Sequence, residues 1–262
     1  MSAREGHTAR KRFGQNFLID TGVIDDIIRA VAPARSDRLL EIGPGLGALT
    51  APLAAAVHRL EVIELDRDLA QRLRTAPYAG TLQVHQADVL TVDLAAFGPA
   101  LRVVGNLPYN ISSPILFRLA SCMDALRDIH VMLQREVVDR MTAQPGDSDY
   151  SRLSVMLQYH FMMEKLLDVP PEAFDPPPRV HSAVVRLSPL RPQPVRAQDE
   201  QVFARVVAQA FGQRRKTLRN SLSGTVTAET LSALGIDPGV RAQTLPVAAY
   251  VRIADAVAGA TA

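Results

Sequence analysis

The sequence predicts an α/β fold: a mostly parallel sheet of seven strands with helices on both faces, followed by a small all-helical domain. Three observations predict it. Short runs rich in Val, Ile and Leu alternate with helix-like stretches, a glycine-rich turn follows the first run, and a proline-rich segment late in the chain precedes a stretch of helical periodicity. The runs begin near Leu39, Leu60, Leu82, Arg102, Ile129, Met156 and Ala183. Segments between the first five are long enough for the crossover helices that parallel neighbours require. The last two runs are joined by residues 168–181, where Pro170, Pro171, Pro176, Pro177 and Pro178 exclude a helix and impose a stiff, extended loop. Next, Ser188-Pro189-Leu190-Arg191-Pro192-Gln193-Pro194 reads as a linker, and beyond it Phe203, Val206, Val207, Ala210 and Phe211 recur at helical spacing. A boundary is expected near residue 190, giving domains 1–189 and 190–262.

Composition narrows the class further. The 262 residues are 47% hydrophobic, as in an ordinary globular chain, and Cys122 is the single cysteine. One cysteine excludes an internal disulfide framework and any CxxC site, and fits a reducing compartment. No apolar run approaches the ~20 residues that span a bilayer, and the first residues are polar and basic, so a cytoplasmic location without membrane contact is expected. None of the six His residues has zinc-like spacing to another ligand, so no metal is expected. The formal charge is only +2, from 29 Lys and Arg against 27 Asp and Glu. Its distribution is uneven. Residues 1–14 carry Arg4, Arg10, Lys11 and Arg12 against Glu5, and from Arg191 onward nine basic residues face five acidic ones, which leaves the middle at −5. Arg214, Arg215, Lys216 and Arg219 fall within six residues. Alone, that run reads equally as a solvated helix face or as a phosphate grip; a second motif calling for a polyanion would decide it.

After the first strand comes Glu41-Ile42-Gly43-Pro44-Gly45-Leu46-Gly47-Ala48. Glycines there permit a tight turn and close approach to a ligand at the start of the next helix, the pattern of a Rossmann-like cofactor site. Gly43, Gly45 and Ala48 also satisfy the dinucleotide fingerprint, so the turn by itself leaves the ligand open. Glu64 closes the second strand, placed to accept both hydroxyls of an adenosine ribose. Asp88 ends the third run and brings a second acid to the same sheet edge, where it fits either an adenine amine or a plain helix cap. Glu41 adds negative charge beside the turn, which suits a ligand with an ammonium and a sulfonium better than one with a pyrophosphate.

The fourth run ends in Val103-Val104-Gly105-Asn106-Leu107-Pro108-Tyr109-Asn110. Pro108 fixes its own φ and holds Leu107 out of the helical region, so this segment forms an extended turn. An adenine exocyclic amine is a poor nucleophile because its lone pair is delocalised into the ring. The Asn106 side-chain oxygen and a Leu107 or Pro108 carbonyl are placed to hold its two N–H bonds and favour a tetrahedral nitrogen, with Tyr109 stacking on the base. Phe174, in the proline-stiffened loop, is a second aromatic for the base's other face. Methyl transfer from a sulfonium needs little beyond in-line alignment, because the leaving group is a neutral thioether.

Taken together, Arg12-Phe13-Gly14-Gln15-Asn16-Phe17-Leu18, the glycine turn, Gly105-Asn106-Leu107-Pro108-Tyr109-Asn110-Ile111, Gln134-Arg135-Glu136-Val137, Tyr150-Ser151-Arg152-Leu153-Ser154, Phe174 with residues 176–180, and Arg214-Arg215-Lys216-Thr217-Leu218-Arg219-Asn220 resemble the small-subunit ribosomal RNA adenine dimethyltransferases, in bacteria the kasugamycin-sensitivity methyltransferase family. The matches span residues 10–252, and the departures, Ser113 and His181, touch no assigned role. The resemblance implies a seven-stranded methyltransferase sheet and S-adenosyl-L-methionine as cofactor. It implies transfer of two methyls to N6 of each of two adjacent adenosines in a hairpin near the 3′ end of 16S rRNA, on a late small-subunit precursor, with a role in ribosome biogenesis; a monomer is expected. Carried over by motif, Asn16, Leu18, Gly43, Gly45, Glu64, Asp88 and Asn106 contact the cofactor, and Asn106, Leu107, Pro108, Tyr109 and Phe174 form the adenine site. Arg10, Lys11, Arg12, Arg214, Arg215, Lys216 and Arg219 then bind RNA. The macrolide-resistance methyltransferases of the large subunit share the catalytic motifs and stand as the alternative. A nicotinamide-dependent oxidoreductase on the same sheet is a further alternative, and a ribosome-assembly checkpoint is compatible with the same enzyme.

Overall fold

The computed structural model describes residues 15–259. Its central sheet holds β2 (Leu39–Ile42), β3 (Leu60–Glu64), β4 (Leu82–Gln86), β5 (Leu101–Asn106), β6 (Leu126–Gln134), β7 (Phe161–Val169) and β9 (Ser182–Pro189), in the order β4-β3-β2-β5-β6-β9-β7. Pairs β2–β3, β2–β5, β3–β4 and β5–β6 are parallel, and β6–β9 is antiparallel. Helices α2 (Thr50–Ala56), α3 (Arg67–Arg74) and α4 (Ser112–Ala120) lie in the connections, and α1 (Thr21–Val31) precedes the sheet. Strands β2 and β5 are buried almost throughout, as both-face burial of a parallel sheet requires. A separate two-residue ladder joins β1 (Phe17–Leu18) to β8 (Phe174–Asp175).

The strand expected near Met156 is a correction. That residue lies in α6 (Arg152–Gln158), and the strand begins at Phe161. Ser154 Oγ accepts the Ser151 N–H at 2.9 Å and donates to the Arg140 carbonyl at 2.5 Å, which starts a helix where the apolar run alone reads as a strand.

Two compact units emerge, one of residues up to 138 with 163–189, the other of residues 139–162 with 190 onward. A boundary at residue 190 places 139–162 with the sheet. In the structure Tyr150, Val155 and Tyr159 share a core with Phe203, Val207 and Tyr250, and the Tyr159 and Phe203 rings lie 4.4 Å apart. This second unit holds α7 (Glu200–Phe211), α8 (Leu218–Ser221), α9 (Ala228–Ala233) and α10 (Val247–Gly259), with α6; α5 (Arg135–Thr142) bridges the division in sequence. Among the described residues no helix is long and apolar enough to cross a membrane.

Candidate active site

Strand order reverses between β2 and β5, and at such a switch point the connections leave in opposite directions and open a crevice at the carboxyl edge. A cavity of about 360 Å³ lies there, inside the size range of small-molecule sites. Asn16, Leu18, Gly43, Gly45, Glu64, Asp88, Asn106, Leu107, Pro108 and Tyr109 all line it.

The glycine turn takes its shape from three residues at positive φ, Gly43 at 67°, Gly45 at 60° and Gly47 at 89°. A Cβ on Gly45 would stand 3.3 Å from the Phe17 ring, so the β1 aromatic approaches the bare backbone closely. Glu64 is fastened at both oxygens: Gly45 N–H donates to Oε2 at 3.1 Å and Asp66 N–H to Oε1 at 2.8 Å. Burial raises its pKa, the Asp66 charge adds to that, and the N–H bonds oppose it. Each carboxylate oxygen has a second lone pair, so acceptor capacity toward a diol remains. Asp88 Oδ1 accepts the Leu90 N–H at 2.9 Å, which fixes the carboxylate at the cavity wall. Deeper lies Glu41, whose Oε2 is buried without a hydrogen-bond partner.

On the other side of the crevice, Gly105 is needed for packing: a Cβ there would fall 2.5 Å from the Ile42 carbonyl oxygen. Its absence lets β5 lie close to β2 and delivers Asn106 to the rim. Asn106 Nδ2 donates to the Asn16 carbonyl at 3.1 Å. A carbonyl only accepts, so the amide is oriented with Nδ2 toward Asn16, and Oδ1 is the acceptor of the group. Leu107 N–H donates to Met132 O at 3.1 Å, and Ile111 N–H to Pro108 O at 3.2 Å. The Tyr109 phenol and the Ser182 hydroxyl are 2.5 Å apart. Burial pushes the phenol above its usual pKa, and the Ser182 bond works against that.

Phe174 pairs with β1 and is 2% exposed, in a cluster with Leu18, Ala173 and Val169; of these, Leu18 lines the cavity and Phe174 does not. Sequence reasoning also missed the apolar walls Leu65, Val89 and Leu90. Their signal was available: Leu65 follows Glu64, the last residue of β3, and Val89 and Leu90 follow Asp88, just beyond the end of β4. Arg10, Lys11 and Arg12 lie outside the described residues. In the second unit, Arg214, Arg215 and Lys216 occupy the turn between α7 and α8, with Arg219 in α8, and all four are exposed. Arg214 donates to the Ser148 carbonyl. Among the described residues no group of three or more His, Cys, Asp or Glu is arranged to hold a metal ion.

A buried carboxyl beside the turn with one oxygen left without a partner is a poor neighbour for a pyrophosphate and a good one for a cation. With the doubly wound sheet, it places the molecule among the Rossmann-like methyltransferases. The family model described as ribosomal RNA adenine dimethylase matches residues 6–259, and the chain belongs to that family, which makes it an rRNA adenine dimethyltransferase. Proteins named ribosomal RNA small subunit methyltransferase A are similar to it. One from Bordetella avium is 58% identical over 254 residues, covering 97% of each chain. Another, from Bordetella petrii, is 57% identical over 251 residues and covers 96% of each. Among solved structures, a dimethyladenosine transferase from Plasmodium falciparum superposes with a TM-score of 0.78 at 26% identity, covering 90% of this chain and 95% of that one. The 23S rRNA methyltransferase ErmE gives a TM-score of 0.71, also at 26% identity, covering 93% and 100%.

Proposed function

We propose that this chain transfers methyl groups from S-adenosyl-L-methionine to N6 of two adjacent adenosines in a hairpin near the 3′ end of 16S rRNA, dimethylating each. It acts on a late small-subunit precursor as a cytoplasmic monomer, and its binding there serves ribosome biogenesis. The observation that carries the reading is the Asn106 amide, turned by the Asn16 carbonyl so that an oxygen acceptor stands at the cavity rim. Small-subunit specificity is supported by relatives at 57–58% identity over nearly the whole chain, against 26% for the large-subunit enzyme.

The cofactor fits the residues present. When bound it supplies a methyl group on a sulfonium whose departure leaves a neutral thioether. Glu64 would hold the ribose hydroxyls and Asp88 the adenine amine, with Asn16, Leu18, Gly43 and Gly45 closing around them. Glu41 Oε2 gives the cationic end an acceptor that has no other partner. At the substrate, Asn106 Oδ1 and a turn carbonyl take the N6 hydrogens, which draws the nitrogen lone pair out of the ring. Tyr109 offers a face for the flipped base, a contact worth ~1–3 kcal/mol. Arg10, Lys11 and Arg12 with Arg214, Arg215, Lys216 and Arg219 would grip backbone phosphates.

Incubating undermethylated small subunits with the protein and labelled cofactor, followed by mass analysis of rRNA fragments, tests all of this together. Two adjacent dimethyladenosines near the 3′ end of 16S rRNA are expected. Label in 23S rRNA instead would overturn the target. Asn106→Ala should abolish transfer while RNA affinity stays within about threefold, since removing a group used at the transition state lowers turnover without weakening ground-state binding.

A further inference from the structure

Ser182 is the first residue of β9, fully buried, and held opposite Gln134 of β6 in the antiparallel ladder. It stands where the loop that follows β7 rejoins the sheet, and the neighbouring His181 carbonyl accepts the Arg135 N–H at 2.9 Å. Strand pairing alone therefore fixes where its hydroxyl lies, and that hydroxyl meets the Tyr109 phenol at 2.5 Å. The turn carrying Tyr109 has its own supports. Leu107 N–H is bound to Met132 O at 3.1 Å, and the Tyr109 carbonyl accepts from Ser112 Oγ at 3.2 Å. Backbone position is thus set from β6 and α4, and the Ser182 contact acts at the far end of the side chain. The phenol oxygen lies on the axis of the second side-chain torsion, so a bond to it fixes the first torsion and with it the direction in which the ring extends.

We propose that Ser182 is a positioning residue for methyl transfer, holding the far end of the Tyr109 side chain so that the ring stands at one place beside Asn106 when the target adenine arrives. This rests on the adenine-site reading of residues 106–109. A ring fixed in advance loses no rotational freedom when the base arrives, so the benefit falls on turnover. Repeated transfer to one nitrogen makes the same demand twice, because the base must return to the same position after N6 has gained a methyl.

The test measures kcat and KM with saturating RNA and cofactor for Ser182→Ala, Tyr109→Phe and the double variant. Each single change is expected to lower kcat about three- to tenfold, the factor carried by one neutral hydrogen bond. The KM for cofactor should hold within about twofold. The double variant should be no slower than either single one, because both remove the same interaction. Wild-type kcat in both singles overturns the proposal, as does a multiplied loss in the double variant. If Ser182→Ala does not fold, Tyr109→Phe deletes the same bond from the ring's side, and wild-type kcat there overturns it. Tyr109→Ala separates the layers. Abolished transfer in Tyr109→Ala beside unaffected Tyr109→Phe sinks only the role of Ser182, whereas full activity in Tyr109→Ala sinks the adenine site itself.

Discussion

Glu41 has one carboxyl oxygen sealed in the protein without a hydrogen-bond partner, and burial, with the Glu64 carboxylate adding to it, pushes its pKa from 4.5 up to about 8. An acid raised in the folded state keeps its proton longer there than in the unfolded chain. Between about pH 4.5 and 8 the native protein therefore binds more protons, and its stability falls as pH rises. Each pKa unit corresponds to about 1.4 kcal/mol, so the effect amounts to a few kcal/mol over that window. In cofactor-free protein, Glu41→Gln should flatten the decline of Tm between pH 5 and pH 8; a wild-type slope in the variant would show that another group titrates there. Glu41 could be located from sequence, since it adjoins the glycine turn, but its isolation could not. Ser182 went unnoticed for a related reason: it is 73 residues from Tyr109, and nothing local to either announces the contact. Leu65, by contrast, is 47% exposed and adjoins Glu64, so its place at the cavity mouth was readable from the acid it follows.

Among the elements, β5 carries the tightest constraint. Gly105 faces the Ile42 carbonyl with no room for a methyl group, so Gly105→Ala must push β5 away from β2. Overpacking of this kind costs roughly 1–3 kcal/mol, to be read from the midpoint of urea unfolding. The displacement also moves Asn106, so turnover is expected to fall further than stability accounts for. Unchanged unfolding would mean that the strands part without cost. At this scale the parallel strands were legible because each is a short β-branched run bounded by turn residues, and the crossovers are long. Residues 152–158 were not, because their periodicity is masked by an apolar run and their start is set by serine hydroxyls reaching Arg140, 14 residues away. Phe174 shows the same limit. Its loop is stiff, as its prolines require, yet the direction of the ring depends on the ladder between β1 and β8, whose strands are more than 150 residues apart.

For the molecule as a whole, the small net charge of +2 is a cancellation between basic ends and an acidic middle. The cluster at Arg214, Arg215 and Lys216 sits on an exposed turn. Arg215→Glu with Lys216→Glu should weaken binding to the precursor subunit and reduce the slope of log affinity against log salt by about 1–2, as expected when two phosphate contacts are lost. An unchanged slope would return these residues to a solvated surface. Sequence alone determined the first five strands of the sheet with the helices between them, the glycine turn, the acids near the strand ends and the Asn106 motif, because each depends on neighbours within one or two turns of chain. Only the tertiary structure decided that residues 139–162 join the helical unit, that Phe174 turns into the core, that Asn16 orients the Asn106 amide and that Ser182 reaches Tyr109. Those outcomes depend on strand register and side-chain packing between segments distant in sequence, where a shift of one residue reverses which way a side chain points.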